Sequence, residues 1–188
     1  MFETIVNPVI RDEVIFIETA EATNGRISTL QVKLMPGGGT PLHYHQHFSE
    51  AFIVQEGVLT ITLEGRKANL QPGEKYVVQA RQWHRFSNES DRPVSFITIV
   101  EPGSAGFENA LRILYGLASD NKTDLRGIPR NPLALAVVSK ISDMHVAGPR
   151  FILVPLFAFF HFIAQISGYK RRLIRRYCLS RVILRNFN

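Results

Sequence analysis

Acidic side chains are nearly absent from the final segment of this chain. After residue 127 only Asp143 remains, against ten Lys and Arg. Residues 1–127 hold 15 Asp and Glu against 12 Lys and Arg. The overall charge of +6 therefore hides a net −3 followed by a net +9. Such a split gives the first part the look of a soluble domain and the second a different job or a different solvent. Cysteine is as scarce. Cys178 stands alone, which excludes an intrachain disulfide and removes any argument for an oxidising compartment. The first residues lack a basic stretch followed by an apolar run, so no secretory signal is expected and the first domain is expected in the cytoplasm. No internal repeat is present. At 188 residues the chain has room for one ordinary domain and an extension.

What is abundant is turn punctuation. A lead-in over 1–27 holds a short predicted strand at 13–19, and strands follow at 28–35, 43–45, 51–56, 59–64, 67–70, 75–79, 84–88 and 94–100. Glycine, proline and asparagine separate them, and their spacing suits an all-β barrel or sandwich. Leu59 to Leu63 alternates apolar and polar residues, as a strand with one buried face does. Phe107, Leu111, Leu114 and Ala118 recur at helical spacing, so a helix is expected to pack outside the β region. A turn-rich linker covers 121–131, a second helix 133–144, and a break falls at Gly148-Pro149.

Histidines cluster in this β region. His43 and His45 lie two apart, so one strand aims both at the same point. Glu50 lies five residues beyond His45, an odd number. An unbroken strand would turn it away, so the chain between is expected to bend or change strand. Imidazole nitrogen with carboxylate oxygen, and no thiolate nearby, suits Mn, Fe, Ni, Cu or Zn. His43, His45 and His47 alone would equally suit an exposed histidine-rich strand end without metal.

Glycines frame these residues. Gly37 is followed after five residues by His43-Tyr44-His45, after four more by Glu50, and after six more by Gly57. A second stretch spaces Gly73, His84 and Asn88. Together these stretches resemble the two signature motifs of the cupin superfamily, over residues 28–101. The second departs from the family pattern at Gln79, where proline is usual, and at Arg81, where glycine is usual. The resemblance implies a mainly β fold, an antiparallel double-stranded β-helix (the cupin jelly-roll barrel), followed here by C-terminal α-helices. The expected organisation is a barrel over 1–103, a helix and linker over 104–127, and a helical apolar and basic extension over 128–188. The resemblance also implies one divalent transition metal ion, with His43, His45, Glu50 and His84 as ligands and two coordination positions left open. His47 fits no ligand position and is expected at the rim with Tyr44, Tyr76 and Arg81.

Strand alternation places Phe52, Val54, Phe86 and Asn88 on the inward side, as a mostly apolar pocket for a small-molecule ligand. No second carboxylate stands out as a general base. Cupins include dioxygenases, isomerases, decarboxylases and non-catalytic binders, and the shared motif does not choose among them. A small-molecule dioxygenase or related metalloenzyme leads. A non-catalytic binding or regulatory module, or a membrane-anchored interaction module, is the alternative. A homodimer is expected from the resemblance.

Residues 151–169 are apolar except for His161, Gln165 and Ser167, about the length a membrane span needs. The last twenty residues carry seven basic side chains and no acid. Two readings follow for 151–184. It associates with a membrane, as a spanning or in-plane helix with the barrel in the cytoplasm. Otherwise it is an arm packed on the barrel or across a dimer of a soluble cytoplasmic protein. The bases lack aromatic interleaving and a nucleic-acid motif, which argues against nucleic acid.

Overall fold

Burial alternates along the longest strands, and this alternation builds the core. In β10 (Val94–Glu101), Val94, Phe96, Thr98 and Val100 are buried and the residues between them are less so. The computed structural model describes residues 2–146 and 150–179, without the side chains of 150–153. Before β10 run β1 (Glu3–Asn7), β2 (Asp12–Glu18), β3 (Ser28–Leu34), β4 (His43–His45), β5 (Ser49–Glu56), β6 (Leu59–Leu63), β7 (Arg66–Leu70), β8 (Lys75–Val78) and β9 (His84–Ser87). Three helices and a short strand follow: α1 (Ala105–Ser119), α2 (Pro132–Ile141), β11 (Met144–Val146) and α3 (Arg150–Ile166). The described chain ends with α4 (Tyr169–Ile174) and a π-helical turn, Arg175–Leu179.

All pairings are antiparallel and form two sheets. One has six strands in the order β1-β2-β3-β10-β5-β8, the other five in the order β11-β4-β9-β6-β7. Leu30, Leu34, Phe52, Leu59, Ile61, Val94 and Phe96 are almost fully buried between them. Gly57 shows why the framing glycines matter. Its φ is +78°, and a Cβ there would lie 2.7 Å from the carbonyl oxygen of Pro93. Only glycine meets both demands.

The helices make a second cluster beside the sheets. Ala110, Ile113 and Leu117 of α1 pack with Ala134, Val137 and Val138 of α2, Ala164 of α3, and Leu173, Tyr177 and Cys178. The helix α2 starts cleanly because the Asn131 side chain accepts from the backbone N–H groups of Leu133 and Ala134, with Pro132 in the first turn.

Three expectations change. The lead-in forms an additional strand, β1, against β2. The helix expected over 133–144 stops at Ile141, and Asp143 takes a left-handed φ of +54°, which turns the chain into β11. The membrane-spanning segment expected over 151–169 is also corrected. Gly168, with φ +69°, ends that helical run, and the helix before it has 17 residues. Among the described residues no helix is long and apolar enough to cross a membrane. The spanning form of the membrane-associated location loses its support, and α3 packs against α2 and α4. Val154, Phe159, Phe162 and Ile166 of α3 remain exposed. The break expected at Gly148-Pro149 and residues 180–184 of the tail lie outside the described residues.

Candidate metal centre

The odd spacing between His45 and Glu50 is resolved by a change of sheet. The strand β4 ends at His45 in the five-stranded sheet, and β5 begins at Ser49 in the six-stranded one. His84 joins from β9, where its backbone pairs with His43. The two sheets thus aim four side chains at one point. One ligand-type atom from each of His43, His45, Glu50 and His84 lies within 4.8 Å of all the others. Every one of the four residues is at most 4% exposed.

Hydrogen bonds on the far side of each ring orient these donors. His43 Nδ1 lies 2.8 Å from the carbonyl oxygen of Pro41, and His84 Nδ1 lies 2.9 Å from that of Gln82. His45 Nδ1 lies 3.2 Å from the carbonyl oxygen of Asp143. A carbonyl only accepts, so each Nδ1 carries a proton, and a ring that is otherwise unprotonated then turns its Nε2 lone pair inward. The inward atoms crowd together. His43 Nε2 and His45 Nε2 are 3.1 Å apart, and Glu50 Oε2 is 2.9 Å from His84 Nε2 and 3.4 Å from His45 Nε2. Two lone pairs facing at that distance repel unless a cation or a proton sits between them. The donor set therefore fits a bound cation, and its chemistry is that of a divalent transition metal.

Charge in the site runs the same way. Burial, together with His84 and His45 beside it, pushes the His43 pKa down to about 3, which keeps its lone pair free. Burial alone would raise Glu50. Wherever protons rather than a cation lie between these groups, the charge of His45 and hydrogen bonds donated by His45 and His84 outweigh burial and hold Glu50 well below the usual carboxylate range. Burial is the largest single effect on His84 and lowers its pKa, but the hydrogen bond to Glu50, the Glu50 charge and the Gln82 carbonyl together outweigh it, so the net shift is upward.

Aromatic side chains close in around these groups. Phe48 stacks on His45 at 4.3 Å, and Phe107 from α1 meets both rings edge-on, 5.9 Å from His45 and 5.6 Å from Phe48. Phe52 and Phe86 lie 5.7 Å apart, with Phe96 completing the cluster, and Val54 is 2% exposed. Asn88 is held in a turn, donating to the carbonyl oxygens of Leu34 and Arg92 and accepting from Ser90. His47 sits outside the cluster with its side chain 72% exposed, paired with Asp143 Oδ1 at 3.0 Å. Sequence reasoning missed Phe48, Phe107 and Asp143. For Asp143 a signal existed, since it is the one acid in the basic final segment.

Two facing antiparallel sheets with a buried three-histidine, one-glutamate cluster define a β-fold with a metal-type centre. Residues 30–100, which contain all four residues, match the family model described as "Cupin domain". Among curated proteins, the chain is similar to gentisate 1,2 dioxygenase 1 from Aquipseudomonas alcaligenes, with 28% identity over 61 residues. That match covers 32% of this chain and 18% of the relative, so the chain spans about a fifth of the relative's length. Among solved structures, KdgF from Halomonas sp. is 19% identical, with a TM-score of 0.46, covering 50% of this chain and 81% of that one. A protein described as a predicted oxalate decarboxylase from Thermotoga maritima is also 19% identical, with a TM-score of 0.49, covering 54% and 92%. None of these likenesses carries an activity across.

Proposed function

We propose that this protein is a metal-dependent cupin enzyme that acts on a small organic molecule, with one divalent ion held by His43, His45, Glu50 and His84. The observation that carries this reading is the convergence of three inward Nε2 atoms and a carboxylate at one buried point. A bound ion of this kind supplies Lewis-acid chemistry and, where it is redox-active, oxygen chemistry at its open positions. The chain's own residues hold the donors, orient their rings and exclude water through Phe48 and Phe107. The name of the curated relative makes dioxygen with gentisate-like aromatic diols the first substrate class to test.

A second reading has its own support. The four donors are nearly inaccessible, and neither Phe52 nor Val54 offers a polar group. Such a centre also suits a binding module whose ion holds a ligand without turning it over.

The test is elemental analysis of the full chain beside His84→Ala. The expected result is close to one ion per chain, lost in the variant while far-ultraviolet circular dichroism stays unchanged. Equal metal in both proteins would sink the reading. Incubation of the loaded protein with oxygen and a diol panel then separates enzyme from binder. Product favours the enzyme, and a raised melting temperature without product favours the binder.

A further inference from the structure

Two of the three site histidines are oriented by their own strands, and the third is not. The carbonyls that hold His43 and His84 belong to Pro41 and Gln82, each two residues earlier in the chain. The carbonyl that holds His45 belongs to Asp143, 98 residues away on the turn between α2 and β11. We propose that the helical extension completes the metal centre, with Asp143 as a positioning residue for His45, so that metal binding and docking of the 132–146 segment are coupled. This rests on the reading that the four-residue cluster holds an ion.

Asp143 is built into the strand end that carries His45. Its Oδ2 accepts from the backbone N–H of Gln46 at 2.7 Å and of His47 at 2.8 Å. Its Oδ1 lies 3.0 Å from His47 Nδ1 and 3.3 Å from His145 Nε2. The carboxylate thus clamps the two residues after His45 while the carbonyl of the same residue meets the His45 ring. The next three residues continue the clamp, pairing Met144 with His45, His145 with Tyr44 and Val146 with His43. His145 stacks on Tyr44 with ring centres 4.7 Å apart. Without β11, the strand carrying two of the four donors would be a sheet edge, the part of a sheet with unpaired backbone groups.

The backbone conformation points the same way. Asp143 has a φ of +54°, a left-handed position that aspartate adopts more readily than most residues with a side chain, because its short polar group can hydrogen-bond locally. In that conformation Asp143, in the turn after α2, leads into β11 and presents both its carbonyl and its carboxylate to β4. A hydrogen bond to the far nitrogen of a metal-bound histidine fixes tautomer and ring orientation, and losing it typically costs 10–100-fold in affinity. Here that bond comes from outside the matched cupin stretch, which ends at residue 100. By linkage, an ion that prefers the oriented His45 ring also favours the docked extension.

The experiment uses the full chain with cobalt(II) as probe. Wild type, Asp143→Ala, Asp143→Asn and Asp120→Ala are compared in affinity by chelator competition and in the visible spectrum of the bound cobalt. The Asp120→Ala variant loosens the extension at Lys122, Arg176 and Tyr177 without touching β4. Asp143→Ala is expected to bind at least about tenfold more weakly with an altered spectrum. Asp143→Asn keeps an oxygen for the Gln46 and His47 N–H groups and is expected to recover most of the affinity. Asp120→Ala should match wild type. Wild-type affinity and spectrum in Asp143→Ala overturn the proposal, as does a loss in Asp120→Ala equal to that in Asp143→Ala. Hydrogen exchange on the wild type needs no variant. Cobalt should slow exchange at Met144 to Val146, and an unchanged rate overturns the coupling even if Asp143→Ala fails to fold. If wild type and His84→Ala both bind no cobalt, the reading of the cluster itself fails, an outcome distinct from the others.

Discussion

Arg81 occupies a left-handed position, φ +70°, in the turn that leads into His84. Its backbone N–H donates to the carbonyl of His45 at 2.6 Å, so the turn ties β9 to β4. The family pattern has glycine here, and the conformation explains why. The chain keeps the turn and bears the strain of a side chain in it. Arg81→Gly should therefore raise stability by up to about 1 kcal/mol in urea unfolding, with metal content unchanged. Asp12 is a second strained residue. Burial raises its pKa from 3.8 to about 6, against the lowering effect of the hydrogen bond donated by the Tyr115 hydroxyl. Asp12 Oδ1 has no hydrogen-bond partner among the described residues. With the folded pKa above the unfolded one, the folded state holds the proton more tightly. Its contribution to stability is full below pH 3.8 and is lost as pH rises through about 6. Asp12→Asn should flatten that slope and add on the order of 2 kcal/mol at pH 7.5, measured by unfolding across pH. The four candidate ligands were legible because their spacing and glycine frame are local. The tautomer-fixing carbonyl of Asp143 was not, because a backbone group carries no sequence signature.

The element most sensitive to a single atom is α1. Gly116 lies against the Tyr177 ring, and a Cβ there would stand 2.2 Å from Tyr177 Cδ1. Alanine favours a helix over glycine by about 1 kcal/mol, yet here it would displace the ring, and overpacking costs about 1–3 kcal/mol. Cys178 reports the outcome. It is 7% exposed, and burial pushes its thiol up to about 11. Gly116→Ala should speed its reaction with a thiol reagent at pH 8 severalfold, and an unchanged rate would show that the π-helical turn stays in place. Elements with strong punctuation were readable from sequence. The strands from β2 to β10 fall where turns and alternation put them, to within a few residues. The short strands β1 and β11 were not readable, since three to five residues carry too little pattern, and the partner of β11 lies far off in the chain. The apolar run in 151–169 read as a span because composition does not reveal that Ala164 packs into the helical cluster beside Ala134 and Val137.

As a whole, the molecule joins a β core to a helical cluster through α1, whose Tyr115 enters the first cluster while Ile113 and Leu117 enter the second. An ion that binds only the folded state stabilises it by about 2.7 kcal/mol at one hundred times its dissociation constant. Dialysis against a strong chelator should therefore lower the melting temperature by several degrees, and returning the ion should restore it. Identical melting curves would mean that the cluster holds no ion in solution. The long reach of the Asp143 carbonyl to His45 also sets an order of events during synthesis. A ribosome makes His43, His45, Glu50 and His84 well before it makes Asp143. Under the proposed coupling, an ion met by the growing chain would find one ring still free to swing until α2 has emerged and folded back. A chain released early would then hold its ion more weakly than the finished one.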